Sequence, residues 1–201
     1  HSWYSDHAQN YLNAGYRIFV AEVASTCNEA LLIHDLMNRT QDETEKKYLI
    51  NYFLDQFKST MFRQTMFAEF EMLTHGIVEK GGMLTAEQLC SIYLDLNKKY
   101  FGEDMISDPE IAYEWARIPH FYTPFYVYQY ATGFAAAIAI SSKILAGEPG
   151  IVEKYKQFLS GGCSKDPIDL LKICGVDMSA PEPVEAALQV FSEYLDKLEA
   201  E

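Results

Sequence analysis

Basic residues are scarce in this chain: 16 Lys and Arg stand against 29 Asp and Glu in 201 residues, a formal net charge of -13. A nucleic-acid partner is thereby disfavoured, because such binding needs basic surface to displace phosphate counterions. The same deficit argues against an anionic membrane surface. Long apolar runs are also missing. No stretch approaches the roughly 18 residues that a transmembrane helix needs. The longest candidate, residues 134–140, is short and Ala-rich and reads as a buried helix. The polar opening HSWYSDHAQN is no secretory leader. Only four cysteines occur, Cys27, Cys90, Cys163 and Cys174, with no CxxC pair. Scattered in this way they read as free thiols of a reducing, cytoplasmic compartment rather than as a disulfide framework.

Catalytic signatures are absent as well. There is no HExxH, no ExxH of a ferritin-like bundle, no glycine-rich phosphate loop and no GxSxG. Strand-like alternation is nearly absent, and no fixed-period repeat marks a solenoid. On composition and local motifs alone, the chain holds no complete active site.

What is present is helical apolar spacing almost throughout, with 49% hydrophobic residues to fill a core. After a break at Gly15, residues 17–38 read as a helix. A second helix is predicted from Gln41, with acidic residues in its first turn, to the Gly81-Gly82 break. That is longer than globular helices usually run. Thr85 to Gln88 is a capping-box pattern that opens a third helix, reaching about Tyr100. Asp108-Pro109, Thr123-Pro124 and Asp166-Pro167 each read as an N-cap with proline at the first helical position. The helix after Thr123-Pro124 is expected to reach Ala146, and a last one spans about 183–198. The fold class is all-α: a multi-helix array with one very long helix, seven to nine helices in all, forming a single unit over 1–201. The chain opens on His1 without a helix-start signal, as if entered partway through an element of something longer.

Two stretches look unlike plain structure. Glu22 interrupts an apolar run, and Ser25 and Glu29 share its face. A carboxylate in such a place must find a cation, a metal or a proton if it is buried. The alternative is an ion pair with an arginine or a place on the exposed stripe. The second stretch, residues 117–133, reads RIPHFYTPFYVYQYATG. It sets His120 in a loop before a helix on which Tyr126 and Tyr130 lie four apart. Phenolic hydroxyls can reach an oxyanion or a peptide carbonyl. Gly133 leaves the backbone open to close approach. An aromatic core helix is the alternative there.

These segments, with HSWYS at 1–5, FVAEVAST at 19–26, NEALL at 28–32 and DPIDLLKICGVDMSAPEPVEAAL at 166–188, resemble oligoendopeptidase F. These are bacterial zinc metallopeptidases related to thimet oligopeptidase. The resemblance runs nearly end to end. It implies a larger zincin-type helical peptidase of which this chain is the C-terminal part of the catalytic domain, without the HExxH helix. His1-Ser2 matches the last two positions of the family's HExGHxxHS motif. Glu22 matches its third zinc ligand, and His120, Tyr126 and Tyr130 match its substrate-contacting His and Tyr positions. Thimet-type members carry a further tyrosine where this chain has Gly133 or, on the other register, Thr132, and Tyr128 competes for such a role. His1 is expected to line the helix end without binding zinc. His7, His34 and His75 are given ordinary roles, and Glu29 either supports a ligand or forms a surface pair.

The resemblance implies hydrolysis of short peptides by a zinc-activated water in the parent protein. Zinc would be absent from, or weakly held by, these 201 residues, and the isolated chain is expected to be inactive. The expected partners are short peptide substrates and the missing N-terminal portion, and the bared face of helix 17–38 is expected to be covered by self-association. The alternative is a free-standing helical binding or scaffold module without catalysis.

Overall fold

The computed structural model describes residues 1–200. Among them there are nine α-helices and no strand: α1 (Ser2–Ala8), α2 (Ile18–Arg39), α3 (Glu43–Gln56), α4 (Arg63–Glu79), α5 (Ala86–Phe101), α6 (Tyr128–Leu145), α7 (Ile151–Leu159), α8 (Pro167–Lys172) and α9 (Glu182–Ala200). A π-helical turn, Phe57–Phe62, joins α3 to α4. Two 3₁₀ turns, Pro109–Arg117 and Pro119–Tyr122, lie between α5 and α6.

Local chemistry accounts for most of these boundaries. The Asp42 side chain accepts from the amides of Thr44 and Glu45 at the start of α3. At α5 the Thr85 hydroxyl accepts from the Gln88 amide while the Gln88 side chain accepts from the Thr85 amide, a complete capping box. The predicted long helix exists as a helical path from Glu43 to Glu79. The π turn at Phe57–Phe62 interrupts its α register by widening one turn.

Asp108-Pro109 opens a short helical stretch as expected, ending at Arg117 before Pro119, and its type is 3₁₀. Three expectations are corrected. Thr123-Pro124 opens nothing helical, and α6 begins only at Tyr128. Residues 2–8 form a helix despite lacking a start signal, and α7 follows the left-handed Gly150 where no helix was foreseen.

The chain divides into two compact units. The first comprises His1–Lys58 with the stretch from Thr132 onward, and the second is Ser59–Ala131. In the first, α2 turns Val20, Val23, Ala24 and Cys27 inward at helical spacing. They meet Ala136, Ala137 and Ile140 of α6, Phe158 of α7 and Leu170 and Leu171 of α8. Burial pushes the Cys27 thiol up to about 11, so it behaves as a small apolar group. A second, aromatic seam joins Phe53 edge-on to Phe57 and Tyr194, and Phe57 edge-on to Phe134. His34 belongs to it, with a ring nitrogen 3.0 Å from the Tyr194 hydroxyl. Gly162 (φ +51°) is indispensable: a Cβ there would lie 1.9 Å from the Asn13 carbonyl oxygen, where the 10–16 loop is pinned. The next residue, Cys163, donates its amide to that same oxygen at 2.9 Å.

The second unit packs Met66, Phe67 and Phe70 of α4 against Tyr93 and Leu96 of α5, with Ile118 and Val127. It also buries charge. Glu114, 7% exposed, accepts from the Tyr93 hydroxyl at 2.6 Å and from Arg63 and Arg117. Burial alone would raise its carboxyl, but the Tyr93 hydroxyl and the two guanidinium groups outweigh that and hold it below the usual range.

Candidate functional site

Glu22 lies on the outer face of α2. Ile18, Glu22, Ser25, Glu29, Leu32 and Leu36 follow one another at steps of four and three residues, and all six are exposed. Ser25 donates its hydroxyl to the Glu22 carbonyl at 3.1 Å and stands 3.5 Å from the Glu22 carboxylate. Glu22 is therefore not a carboxylate inside an apolar run. Its apolar neighbours in sequence turn the other way, and the charge stays in water. Glu29 lies on the same stripe, beside a cleft of about 270 Å³ formed with Leu32, Leu36, Tyr48 and Tyr52.

His120, Tyr126 and Tyr130 come together in the second unit. His120 is exposed on the 3₁₀ turn Pro119–Tyr122. Its Nε2 lies 3.4 Å from the Tyr130 hydroxyl. Its ring centroid is 6.1 Å from that of Tyr126 and 5.9 Å from that of Tyr130, and the two tyrosine rings meet edge-on at 5.4 Å. The expectation that Tyr126 and Tyr130 share one helix face is corrected: Tyr126 precedes α6 and reaches the cluster from the loop. Three rings that carry polar groups thus meet on one partly exposed wall, and the Tyr130 hydroxyl and the His120 ring can present donors to an oxygen there. Tyr128, the competing tyrosine, opens α6 and is exposed. Gly133 is buried, and what approaches its backbone is α2: a Cβ there would sit 3.8 Å from the Phe19 carbonyl oxygen and 3.9 Å from Val23.

The loop that delivers Tyr126 contains the one non-glycine residue at positive φ among the described residues, Phe125 at +61°. Such a backbone costs on the order of 1–3 kcal/mol. The Phe125 amide donates to Oε1 of Glu71 at 2.9 Å. Glu71 is on α4 and only 3% exposed. Its burial raises the carboxyl above the ordinary range, against the pull of the Phe125 amide and of His75. Sequence reasoning passed over Glu71. The signal was available: it sits among Phe67, Phe70 and Thr74 on the inward face of α4, all of them buried.

The metal donors fall short of a set. Among the described residues no three His, Cys, Asp or Glu side chains are grouped so as to hold a metal ion. The buried side-chain nitrogens left without a hydrogen-bond partner are those of His1. That ring lies flat on Tyr16, centroids 3.8 Å apart and planes 1° from parallel, so it packs as an aromatic. A catalytic zinc takes three protein ligands, and the residues of this chain do not by themselves fit one.

Comparison with known proteins places this helical array in a peptidase family. The family model described as Peptidase family M3 matches residues 1–190, and the chain belongs to that family. It is 54% identical over 199 residues to the oligopeptidase PepF of Bacillus subtilis (strain 168), covering 99% of this chain and 30% of that protein. It is 43% identical over 199 residues to the plasmid oligoendopeptidase F of Lactococcus lactis subsp. cremoris, covering 99% and 33%. The crystal structure of oligoendopeptidase-F from Enterococcus faecium superposes with a TM-score of 0.87 at 46% identity, over 92% of this chain and 36% of that one. That of a putative peptidase from Chlamydophila abortus gives 0.91 at 41%, over 99% and 33%. The chain spans about a third of the length of the relatives it matches. Among the described residues no helix is long and apolar enough to cross a membrane.

Proposed function

We propose that this chain is the C-terminal part of the catalytic domain of an oligoendopeptidase F-type zinc peptidase that hydrolyses short peptides. Glu22 contributes one carboxylate to a zinc site whose other ligands lie outside the 201 residues. His120, Tyr126 and Tyr130 form a wall that holds the substrate carbonyl and the oxyanion developing from it. The observation that carries this reading is the bare stripe of α2. Glu22, with Ser25 and Glu29, stands between the exposed aliphatic residues Ile18 and Leu32 on one helix face, in a chain 54% identical to an oligopeptidase. A surface helix of a self-contained bundle ordinarily puts polar residues there. The converging donors of the wall support the second half, since hydrogen-bond donors aimed at developing charge are a large source of rate enhancement in acyl transfer.

The test uses the full-length protein. Glu22→Ala is expected to deplete zinc and abolish cleavage of a quenched fluorogenic peptide. Tyr130→Phe is expected to keep zinc and lower kcat about 100-fold, the cost of one lost oxyanion donor. The 201-residue chain alone is expected to show neither stoichiometric zinc nor chelator-sensitive turnover. Full zinc content and activity in Glu22→Ala would overturn the reading and favour a helical scaffold.

A further inference from the structure

At the Thr123-Pro124 start signal, where no helix forms, the chain makes one long-range contact. A helix begun at Pro124 would need Phe125 in right-handed geometry, and the residue instead stands at φ +61°. Its ring does not explain this, being 51% exposed. Its amide is what is held: Oε1 of Glu71, 54 positions earlier, accepts it at 2.9 Å. His75, one turn beyond Glu71 on α4, adds a ring contact to Phe125 at 4.7 Å. The next residue is Tyr126. With Phe125 left-handed, the chain delivers Tyr126 from the loop, its ring tilted only 28° from that of His120.

We infer that Glu71 is a positioning residue for the wall: by holding the Phe125 amide, its buried carboxylate sets where Tyr126 stands against His120 and Tyr130. The consequence for turnover rests on the substrate-wall reading above; the placement of Tyr126 does not. Glu71 touches no reacting atom in this scheme. It acts through one part-buried backbone bond.

The test separates placement from catalysis by measuring both in the full-length protein. Histidine-ring NMR signals from ¹³C-labelled His120 report the ring currents of Tyr126 and Tyr130, and steady-state kinetics report turnover. Glu71→Leu removes the acceptor and is expected to shift the His120 signals and lower kcat about 100-fold, as a misplacement of about 1 Å can do, with KM little changed. Glu71→Gln keeps an acceptor oxygen and is expected to restore both to within a few-fold. Adding Phe125→Gly to Glu71→Leu is expected to restore part of each, because glycine takes the left-handed backbone without help. Should Glu71→Leu not fold, Phe125→Pro removes the same amide and also forces φ at 125 to negative values, and is expected to shift the His120 signals at least as far. Shifted His120 signals with unchanged turnover would support the placement and overturn the substrate-wall reading. Unmoved His120 signals in a folded Glu71→Leu or Phe125→Pro protein would overturn the inference.

Discussion

In the first unit, among the described residues, no carboxylate is buried and the buried residues include Val20, Cys27, Ile140, Phe158 and Ser5, whereas the second unit buries Glu71 and Glu114 beside Met66 and Tyr93. The contrast extends to the candidate residues within each unit. In the first unit Glu22 stands exposed on one helix face. In the second, the rings of His120, Tyr126 and Tyr130 are grouped, and the buried Glu71 holds the loop that carries Tyr126. Apolar packing gives the first unit stability without burying a carboxylate. Buried polar bonds cost more to make, but they hold particular atoms in particular places.

The strongest challenge to this contrast is Glu114→Ala. It strands the Tyr93 hydroxyl and two guanidinium groups, and should cost about 3 kcal/mol, near the low end for a broken buried pair because Arg117 is largely exposed and screened. Urea unfolding followed by Trp115 fluorescence, in a Trp3→Phe background, reports it from the second unit, since each unit carries one of the two tryptophans. The pH dependence has a definite sign. Glu114 is held below the ordinary glutamate range, so its contribution is complete above that range and is lost as pH falls through its own lower value. Glu71 works in the opposite direction. Its carboxyl is raised, so stability declines as pH rises from the ordinary glutamate range through that higher value. Glu71→Gln should remove this decline, and a variant that keeps it would show that another group is responsible.

Gly162→Ala is the matching test in the first unit, followed with Trp3 after Trp115→Phe. The new methyl group meets the Asn13 carbonyl, and a loss of about 2 kcal/mol or more is expected. A neutral result would mean that the 10–16 loop gives way and that the apolar unit is less rigid than its packing suggests. The smallest effect is expected from Glu22→Ala on folding of the 201-residue chain, within about 0.5 kcal/mol because the side chain is exposed. A larger loss would give Glu22 a structural role that its surroundings do not show.

Much of the fold was legible because it is locally encoded. Asp42 and the Thr85–Gln88 pair cap the helices that the pattern assigned to them, and the inward residues of α2 follow helical spacing. What was missed is non-local. No residue near Phe125 announces that its amide will be taken by Glu71, so the Thr-Pro signal was followed into a helix that does not form. The π turn was invisible for a related reason: an aromatic run such as that around Phe57 and Met61 fits either register, and tertiary packing decides. In the candidate site, His120 and the two tyrosines were found through a recognisable segment. Glu71 was passed over because an acidic residue on a helix usually reads as surface.

The stripe running from Ile18 to Leu36 along α2 also bears on purification. In neutral, dilute buffer the net charge of -13 keeps copies of this polypeptide apart. Concentrated ammonium sulfate removes that protection, because the ions shrink the range of repulsion to a few ångströms while sulfate strengthens the association of oily surface. Under those conditions Ile18, Leu32 and Leu36, open on one side of the helix, become part of the surface through which copies can associate.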